Sequence, residues 1–140
     1  MAGALLTQAG DMVHYHSTTD GEMQMQVNPD ASLSIVALEE TGIGTHIGKF
    51  TLTGASEGGL FLMTAIAANG DNLFLVVVGL NGNTVEMVIF GGTGSFNGAT
   101  GHITGTTTID PTPVSLDPLI LAYTATTTGE ISTVGSNKEK

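Results

Sequence analysis

Four histidines are the side chains of this sequence best suited to proton transfer or metal binding near neutral pH. His14 and His16 are two residues apart, so on a strand both imidazoles face the same side. Glu22 could return beside them across a hairpin, and two imidazoles with a carboxylate suit several divalent metals. The alternative is a solvent-facing histidine pair near the chain terminus. We favour this alternative and predict that the protein uses no metal or other cofactor.

Two further residues are predicted to be catalytic, because alternation along a strand would place both inside a β-structure. His46 shares a face with Phe50 and Leu52, and a desolvated neutral imidazole near a barrel mouth could act as general acid or base. The alternative is a structural hydrogen bond to a neighbouring strand. Tyr123 shares a face with Leu121, where its hydroxyl could orient a carbonyl or donate a proton. A core tyrosine whose hydroxyl is satisfied at the rim is the other interpretation.

Ligand contacts are predicted from large apolar side chains on the same faces. Six methionines are many for a small β protein. Methionine adapts to irregular shapes, which suits a cavity that takes a flexible ligand and equally suits an ordinary core. The predicted ligand-binding residues are Phe50, Leu52, Met23, Met25 and Met87.

Other ionisable side chains are expected at the surface. His102 alternates with threonines, and Glu86 lies on the face opposite Met87. Glu39 and Glu40 end a predicted strand on opposite faces, which leaves one of them at a cavity mouth or both at a solvated strand end. We favour the solvated strand end. The sequence has no cysteine to serve as a nucleophile, and spacing alone proposes no Ser-His-Asp set, so it gives no positive indication of hydrolase chemistry.

The charge balance excludes two classes of partner. Lys and Arg total 3 against 13 Asp and Glu, a formal net charge of −10. The chain contains no arginine, and Lys138 and Lys140 lie at its very end, which leaves Lys49 as the fixed cation of the folded body. Nucleic acids and anionic lipid surfaces both require clustered cations, so we expect neither as a partner.

The overall composition bears on assembly and localisation. Charged residues make up 11% of the chain, against about 25% in a typical domain, and this deficit leaves room for a buried subunit interface. No stretch reaches the roughly 18 apolar residues of a membrane helix. The first residues, MAGALLTQAG, lack the basic region of a signal peptide. We therefore expect a cytoplasmic protein, with secretion after processing left open.

The elements that position these side chains are predicted to be strands, because the twenty glycines interrupt every candidate helix and apolar residues recur with period two. The segment EMQMQVN alternates perfectly, and Asn69-Gly70-Asp71 and Asn81-Gly82-Asn83 are tight-turn signals. Strands are predicted at 12–17, 22–28, 33–40, 44–53, 60–68, 73–78, 85–90, 103–109 and 119–128.

Eight or nine short strands joined by tight turns indicate a sandwich or a barrel. Closure removes exposed strand edges, which suits a chain with few lysines to guard them. We therefore predict an all-β fold, a closed antiparallel eight-stranded barrel of the calycin kind. A single domain is expected over residues 1–135, followed by a disordered tail at 136–140.

Residues 91–101, GGTGSFNGATG, form the most distinctive segment. Its glycines predict two chain reversals that flank Phe96, which would plug one end of the barrel. Gly92, Gly94 and Gly98 loosely imitate a dinucleotide-binding pattern. A strand and not a helix follows them, so no helix N-terminus is available to bind a phosphate.

The same segment resembles a known signature. IFGGTGSFNGATG is similar to the GGTG-x-F-x-GA-x-G pattern shared by plant dirigent proteins, allene oxide cyclases and many uncharacterised bacterial barrels, and we place the chain with the bacterial branch. The resemblance extends to THIGKFTLTG at 45–54 and AANGD at 67–71, and it covers about residues 42–131. It implies an eight-stranded barrel with an apolar cavity, often a dimer or trimer, that steers ring closure or coupling of apolar intermediates without a cofactor. The N-terminal third does not match, so no catalytic residue is carried over from the family.

Three functions follow as hypotheses. The first is a barrel that binds a small hydrophobic molecule and guides its cyclisation or isomerisation without a cofactor. The second is a non-catalytic, lipocalin-like binding protein, and the third is a structural or assembly module that works through its Thr- and Gly-rich surface. The sequence leaves open whether the protein is an enzyme.

Overall fold

The computed structural model describes residues 12–132, which form nine strands and one short 3-10 helix at Gly94–Phe96. The strands are β1 (Met12–Val27), β2 (Leu33–Gly44), β3 (Gly48–Glu57), β4 (Leu60–Ala67), β5 (Asn72–Asn81), β6 (Thr84–Gly92), β7 (Gly101–Ile109), β8 (Ser115–Leu116) and β9 (Leu119–Ser132). Strands β1 to β7 follow one another round the sheet, β9 pairs with β7, and β1 pairs with β9 to close it. All these pairings are antiparallel, and the two-residue β8 adds to β9. The predicted closed eight-stranded barrel is confirmed.

Alternation along the strands separates the inside of the barrel from the outside. In β1, Tyr15, Ser17 and Thr19 are buried while the residues between them are exposed. Because successive side chains of a strand point to opposite faces, one such row per strand fills the barrel interior.

Strand β1 corrects one sequence-based expectation. Separate strands were predicted at 12–17 and 22–28, but residues 12–27 form a single strand. It pairs with β9 from Met12 to Met25 and with β2 from Ser17 to Val27. The pairing on both sides of Asp20 and Gly21 outweighs the local turn tendency of these two residues.

The hairpin between β2 and β3 corrects a second sequence-based expectation. A strand was predicted over 44–53, whereas β2 continues to Gly44 and residues 45–47 form the turn into β3. His46 occupies this turn with a left-handed backbone, φ 69°. Such a φ is uncommon for a residue other than glycine and is a feature of turns, so the site of His46 is not a strand position.

One end of the barrel is closed by the glycine-rich segment. The Asp71 carboxylate accepts hydrogen bonds from the backbone and the hydroxyl of Ser95, at 3.1 and 2.9 Å. Gly94 adopts φ 58°, and any side chain on it would overlap that carboxylate. These contacts hold the 3-10 helix in place, and Phe96 is buried in the core beside Ala99, as its predicted role as a plug requires.

The outer face of β5 and β6 carries apolar side chains. The rings of Phe74 and Phe90 stack with their centroids 6.1 Å apart. Val78 and Phe90 are each 56% exposed. In the single chain this outer face is therefore only partly covered.

Within the part of the chain that the structure describes, no helix is long and apolar enough to cross a membrane. The predicted disordered tail at 136–140 lies outside the described residues.

Candidate ligand-binding cavity

A cavity of about 530 Å³ runs inside the barrel and is lined by side chains from all eight strands that close it. This size is ordinary for a site that holds a small organic molecule. All five predicted ligand-binding residues line it, namely Met23, Met25, Phe50, Leu52 and Met87.

The cavity opens at the end of the barrel opposite Phe96. Its rim there includes Leu33, Leu60, Leu80 and Ile109, which are 51%, 54%, 64% and 43% exposed. An exposed ring of large apolar side chains is unusual on a protein surface and suits the entrance of a site for apolar molecules.

The inner wall of the cavity is polar on one side. Among the lining residues of β9, β1 and β2 are Tyr15, Ser17, Thr19, Glu40, Tyr123 and Thr127. The wall formed by β3 to β7 is apolar apart from small polar residues near the mouth, with Phe50, Leu52, Met63, Leu75, Met87 and Ile103 at its centre. A ligand in this cavity therefore meets hydrogen-bonding groups along one edge and hydrocarbon along the other.

Tyr123 and Glu40 form the central contact of the polar wall. The Tyr123 side chain is 4% exposed, and its hydroxyl donates a hydrogen bond to the Glu40 carboxylate. The two residues lie on β9 and β2, which flank β1, and Gly21 of β1 pairs with both. A Cβ atom on Gly21 would lie 2.7 Å from Cγ of Glu40. The glycine thus leaves the gap across which tyrosine and carboxylate meet.

Burial sets the proton affinities of this cluster. Desolvation raises the pKa of Glu40, and the hydrogen bond from Tyr123 opposes that shift only in part. Desolvation also raises the pKa of Tyr123, strongly, with the nearby charge of Glu40 adding to the effect. The carboxyl of Glu40 therefore keeps its proton to a higher pH than an ordinary glutamate, while the phenol stays protonated.

Three other residues of the polar wall carry hydroxyl groups, and these differ in whether they are hydrogen-bonded. The hydroxyls of Ser17 and Thr127 hydrogen-bond to each other. Thr19 is 5% exposed, and its Oγ1 has no hydrogen-bond partner of acceptable geometry among residues 12–132, although it lies near enough to Glu40 to favour the ionised carboxylate. Buried hydroxyls are normally hydrogen-bonded, so the hydroxyl of Thr19, a residue that lines the cavity, can still form a hydrogen bond.

His46 lies outside the cavity, and its predicted inward orientation is wrong. The residue is exposed in the turn after β2, where its Nε2 lies 3.1 Å from the backbone oxygen of His14. This is the structural hydrogen bond that was its alternative interpretation. The extension of β2 through Gly44, which the turn follows, is the physical reason.

The proposed metal ligands do not converge. His14, His16 and Glu22 are all exposed on the outer face of β1. No hairpin returns Glu22, which lies six residues beyond His16 and so roughly 20 Å along the strand. In the described region no three His, Asp or Glu side chains form a set that could hold a metal ion.

Glu86 and His102 lie on the outside of the barrel, as expected. Their side chains are 54% and 58% exposed, and His102 Nε2 lies 3.9 Å from Glu86 Oε1. A pair this exposed contributes little to stability.

Glu40 is the functional candidate that sequence reasoning placed wrongly. The prediction of a solvated strand end holds for Glu39, which is exposed, but β2 continues four residues past Glu40 and turns its side chain inward. The signal was available in the alternation of Leu38 and Glu40 along a longer strand. Thr19 was missed because a threonine in a β-strand is unremarkable without knowledge of its neighbours.

A second, wider depression of about 700 Å³ lies on the outer face over β9, β1, β2 and β3. Its walls include the exposed side chains of Thr18, Thr41 and Lys49. Unlike the lumen, it has no buried titratable group, so the lumen is the better candidate site.

Comparison with known proteins agrees with the architecture. No family model matches the sequence, and no curated protein is similar to it. Among solved structures, the chain is similar to the pterocarpan synthase dirigent protein GePTS1, with a TM-score of 0.50 and 15% sequence identity over 87% of this chain and 86% of that one. At this identity the likeness shows that the fold is a dirigent-like barrel.

Proposed function

We propose that this protein binds a small, largely apolar molecule in the barrel lumen and guides its cyclisation or isomerisation without a cofactor. The observation that carries the proposal is the Tyr123–Glu40 pair, buried in an apolar cavity of about 530 Å³. Functional sites commonly hold titratable groups in a cleft where burial and a charged partner shift their proton affinity, as they do for this pair. The kinship with allene oxide cyclases and with bacterial barrels rests on the motif at 91–101.

Conformational selection is the first contribution of the cavity. A flexible apolar molecule folded against Phe50, Leu52 and Met87 is held in few of its conformers, and holding a reactive one can lower the barrier by several kcal/mol.

Proton transfer is the second contribution. Burial raises the pKa of Glu40, which moves its carboxyl toward the proton affinity that suits a general acid or base near neutral pH. In an isomerisation the carboxylate takes a proton from one carbon of the substrate and returns it to another, so the site ends in its starting state. Tyr123 holds the carboxylate in place and favours its charged form. His46 lies outside the cavity and takes no part.

The test uses the fact that such a reaction changes structure but not mass. An apolar extract of the source cells is incubated with the protein and analysed by liquid chromatography and mass spectrometry. We expect one compound to decline while another of identical mass appears at a new retention time, with wild type but not with Glu40→Gln. If wild type and variant leave the extract unchanged, the catalytic proposal is wrong.

Non-catalytic binding is the second candidate function, favoured by the predominantly apolar lining of the cavity. Under it, native mass spectrometry of freshly purified protein shows a bound molecule that is released unchanged after long incubation. The same experiment separates the two candidates, because only the catalytic one yields an isomer.

We also propose a homo-oligomer, a dimer or trimer, that buries the outer apolar face of β5 and β6 around Phe74 and Phe90. The scarcity of cations continues to argue against nucleic acid and anionic membranes as partners. Cytoplasmic localisation stays a prediction.

A further inference from the structure

The polar wall carries information about the ligand beyond its apolar character. The cavity lining is not uniformly apolar. Its titratable groups and most of its deeper hydroxyls lie on β9, β1 and β2, beside Met23, Met25 and Leu38, whereas β3 to β7 contribute mainly hydrocarbon. A purely apolar guest would offer no hydrogen-bonding atom to the hydroxyl of Thr19 on that wall. Buried polar groups without partners are unfavourable, so the arrangement favours a guest with polar atoms along one edge.

Thr19 is the residue of this wall whose hydroxyl can still accept or donate a hydrogen bond. Its side chain is 5% exposed, and within residues 12–132 its hydroxyl lies near the Glu40 carboxyl but makes no hydrogen bond of acceptable geometry. The neighbouring polar groups are already engaged, Tyr123 with Glu40 and Ser17 with Thr127. A ligand atom that hydrogen-bonds Thr19 would complete the network.

The charge of the cavity limits what that atom can be. Lys49 is the single Lys or Arg among the described residues, and it lies exposed on the outside of β3. No cation therefore faces the lumen within the described part of the chain, and a carboxylate ligand would lie beside Glu40 without a counter-ion. Desolvation of a second unpaired anion there would be strongly unfavourable.

We propose that the ligand is a neutral, oxygen-bearing molecule with one polar edge, whose hydroxyl or carbonyl oxygen hydrogen-bonds to Thr19 beside the Tyr123–Glu40 pair. This inference rests on the proposed function, because it assumes that the lumen binds a guest. It adds the chemical class of that guest and the residue that recognises it.

The test measures displacement of the neutral apolar dye N-phenyl-1-naphthylamine by decan-1-ol and by decanoate at pH 8. These competitors share a ten-carbon chain and differ in the charge of the head group. We expect wild type to bind the alcohol at least about tenfold more tightly than the carboxylate. Thr19→Val, which keeps the side-chain shape, should weaken binding of the alcohol relative to binding of the dye by roughly three- to tenfold, the range for one lost hydrogen bond.

Three comparisons make the result decisive. Thr18→Val changes a neighbouring residue that faces outward and should bind both competitors as wild type does. Thr19→Ala supplies a second loss of the hydroxyl should the valine variant fold poorly, and Thr19→Ser should retain alcohol binding.

The outcomes distinguish the inference from the function on which it rests. If the dye binds but alcohol and carboxylate compete equally and neither Thr19 variant matters, the inference is overturned while binding in the lumen stands. If binding of the dye and of both competitors is the same in wild type and in Leu52→Trp, whose indole fills the lumen, the lumen takes up none of these apolar molecules and both proposals fail.

Discussion

Tyr123 and Glu40 hydrogen-bond to each other although their strands, β9 and β2, are not neighbours in the barrel. Strand β1 lies between them, and at the point of contact it carries Gly21, which pairs with both residues. The contact between Tyr123 and Glu40 therefore requires a residue without a side chain at position 21.

Glu40→Gln tests proton transfer directly. The amide keeps the size of the carboxyl and cannot exchange a proton, so we expect the isomer-forming rate to fall about 100-fold or more. Occupancy by the carried ligand, measured by native mass spectrometry, should change little. Equal rates for Glu40→Gln and wild type would remove the carboxyl from the mechanism.

Tyr123→Phe tests the structural value of the hydrogen bond. The variant leaves a buried carboxyl without its donor, and we expect a loss of about 1–3 kcal/mol in the free energy of unfolding, measured with urea. Tyr15→Phe is the matched control, because Tyr15 is a buried tyrosine of the same cavity that does not bond to Glu40. A smaller loss for Tyr123→Phe than for Tyr15→Phe would contradict the assignment.

The pH dependence of stability follows from the raised pKa of Glu40. The folded protein binds this proton more tightly than the unfolded chain, whose glutamate titrates near 4.5. Wild type therefore loses stability as the pH rises from about 4.5 through the pKa of the folded state. Glu40→Gln lacks this loss, so its free energy of unfolding relative to wild type should increase between pH 4.5 and pH 8. A difference that is constant over this range would show that Glu40 titrates normally.

Gly21→Ala tests the gap between the two residues. The new methyl group would overlap the backbone oxygen of Glu39 and the side chain of Glu40, and overpacking of this kind costs about 1–3 kcal/mol. Gly79→Ala is the control, because a Cβ there would meet Glu86 only at an ordinary 3.7 Å. The tyrosine fluorescence of Gly21→Ala should also change, since both tyrosines of this tryptophan-free chain line the cavity. Unchanged stability and emission would refute the steric account.

Asp71 should make the closed end sensitive to acid. Hydrogen bonds from the backbone and side chain of Ser95 lower the pKa of its carboxyl. The stabilisation is present above the usual value of 3.8 and disappears as the pH falls through the lower pKa of the folded state. Asp71→Ala should thus lower the melting temperature at pH 7 and matter less at pH 3. Glu57→Gln, at an exposed strand end, should have little effect at either pH.

Phe90→Ser tests the proposed subunit interface. Replacing a half-exposed aromatic ring on the outer face of β6 should reduce the oligomer mass seen by light scattering coupled to size exclusion. Thr106→Ser, on the exposed face of β7, is the control. A wild-type protein that elutes as a monomer at all concentrations would refute the interface.

Alternation of side chains predicted the barrel and the residues that line its cavity, because period two is a local property that the sequence displays. Strand ends were predicted less well, since they depend on partners distant in sequence. Gly21 lies within a strand because β9 and β2 pair on both sides of it.

The candidate site was predictable only in part for the same reason. Tyr123 faces the lumen as its pattern indicated, whereas Glu40 required the true length of β2. The predicted inward orientation of His46 was wrong because residues 45–47 form a turn and are not part of a strand. The unpartnered hydroxyl of Thr19 is a property of its surroundings, and no sequence pattern carries it.

Among the described residues, Phe96 is buried at the end of the barrel opposite the rim that Leu33, Leu60 and Leu80 form, so in the proposed reaction substrate and product both cross that rim. Arrival and departure must then alternate, because a departing product occupies the route that the next substrate needs. At saturating substrate the maximal rate cannot exceed the rate of product dissociation across that rim. Smaller side chains at the rim would speed product dissociation and so raise this upper limit on the maximal rate. They would also shorten the time for which any reactive intermediate is kept from water.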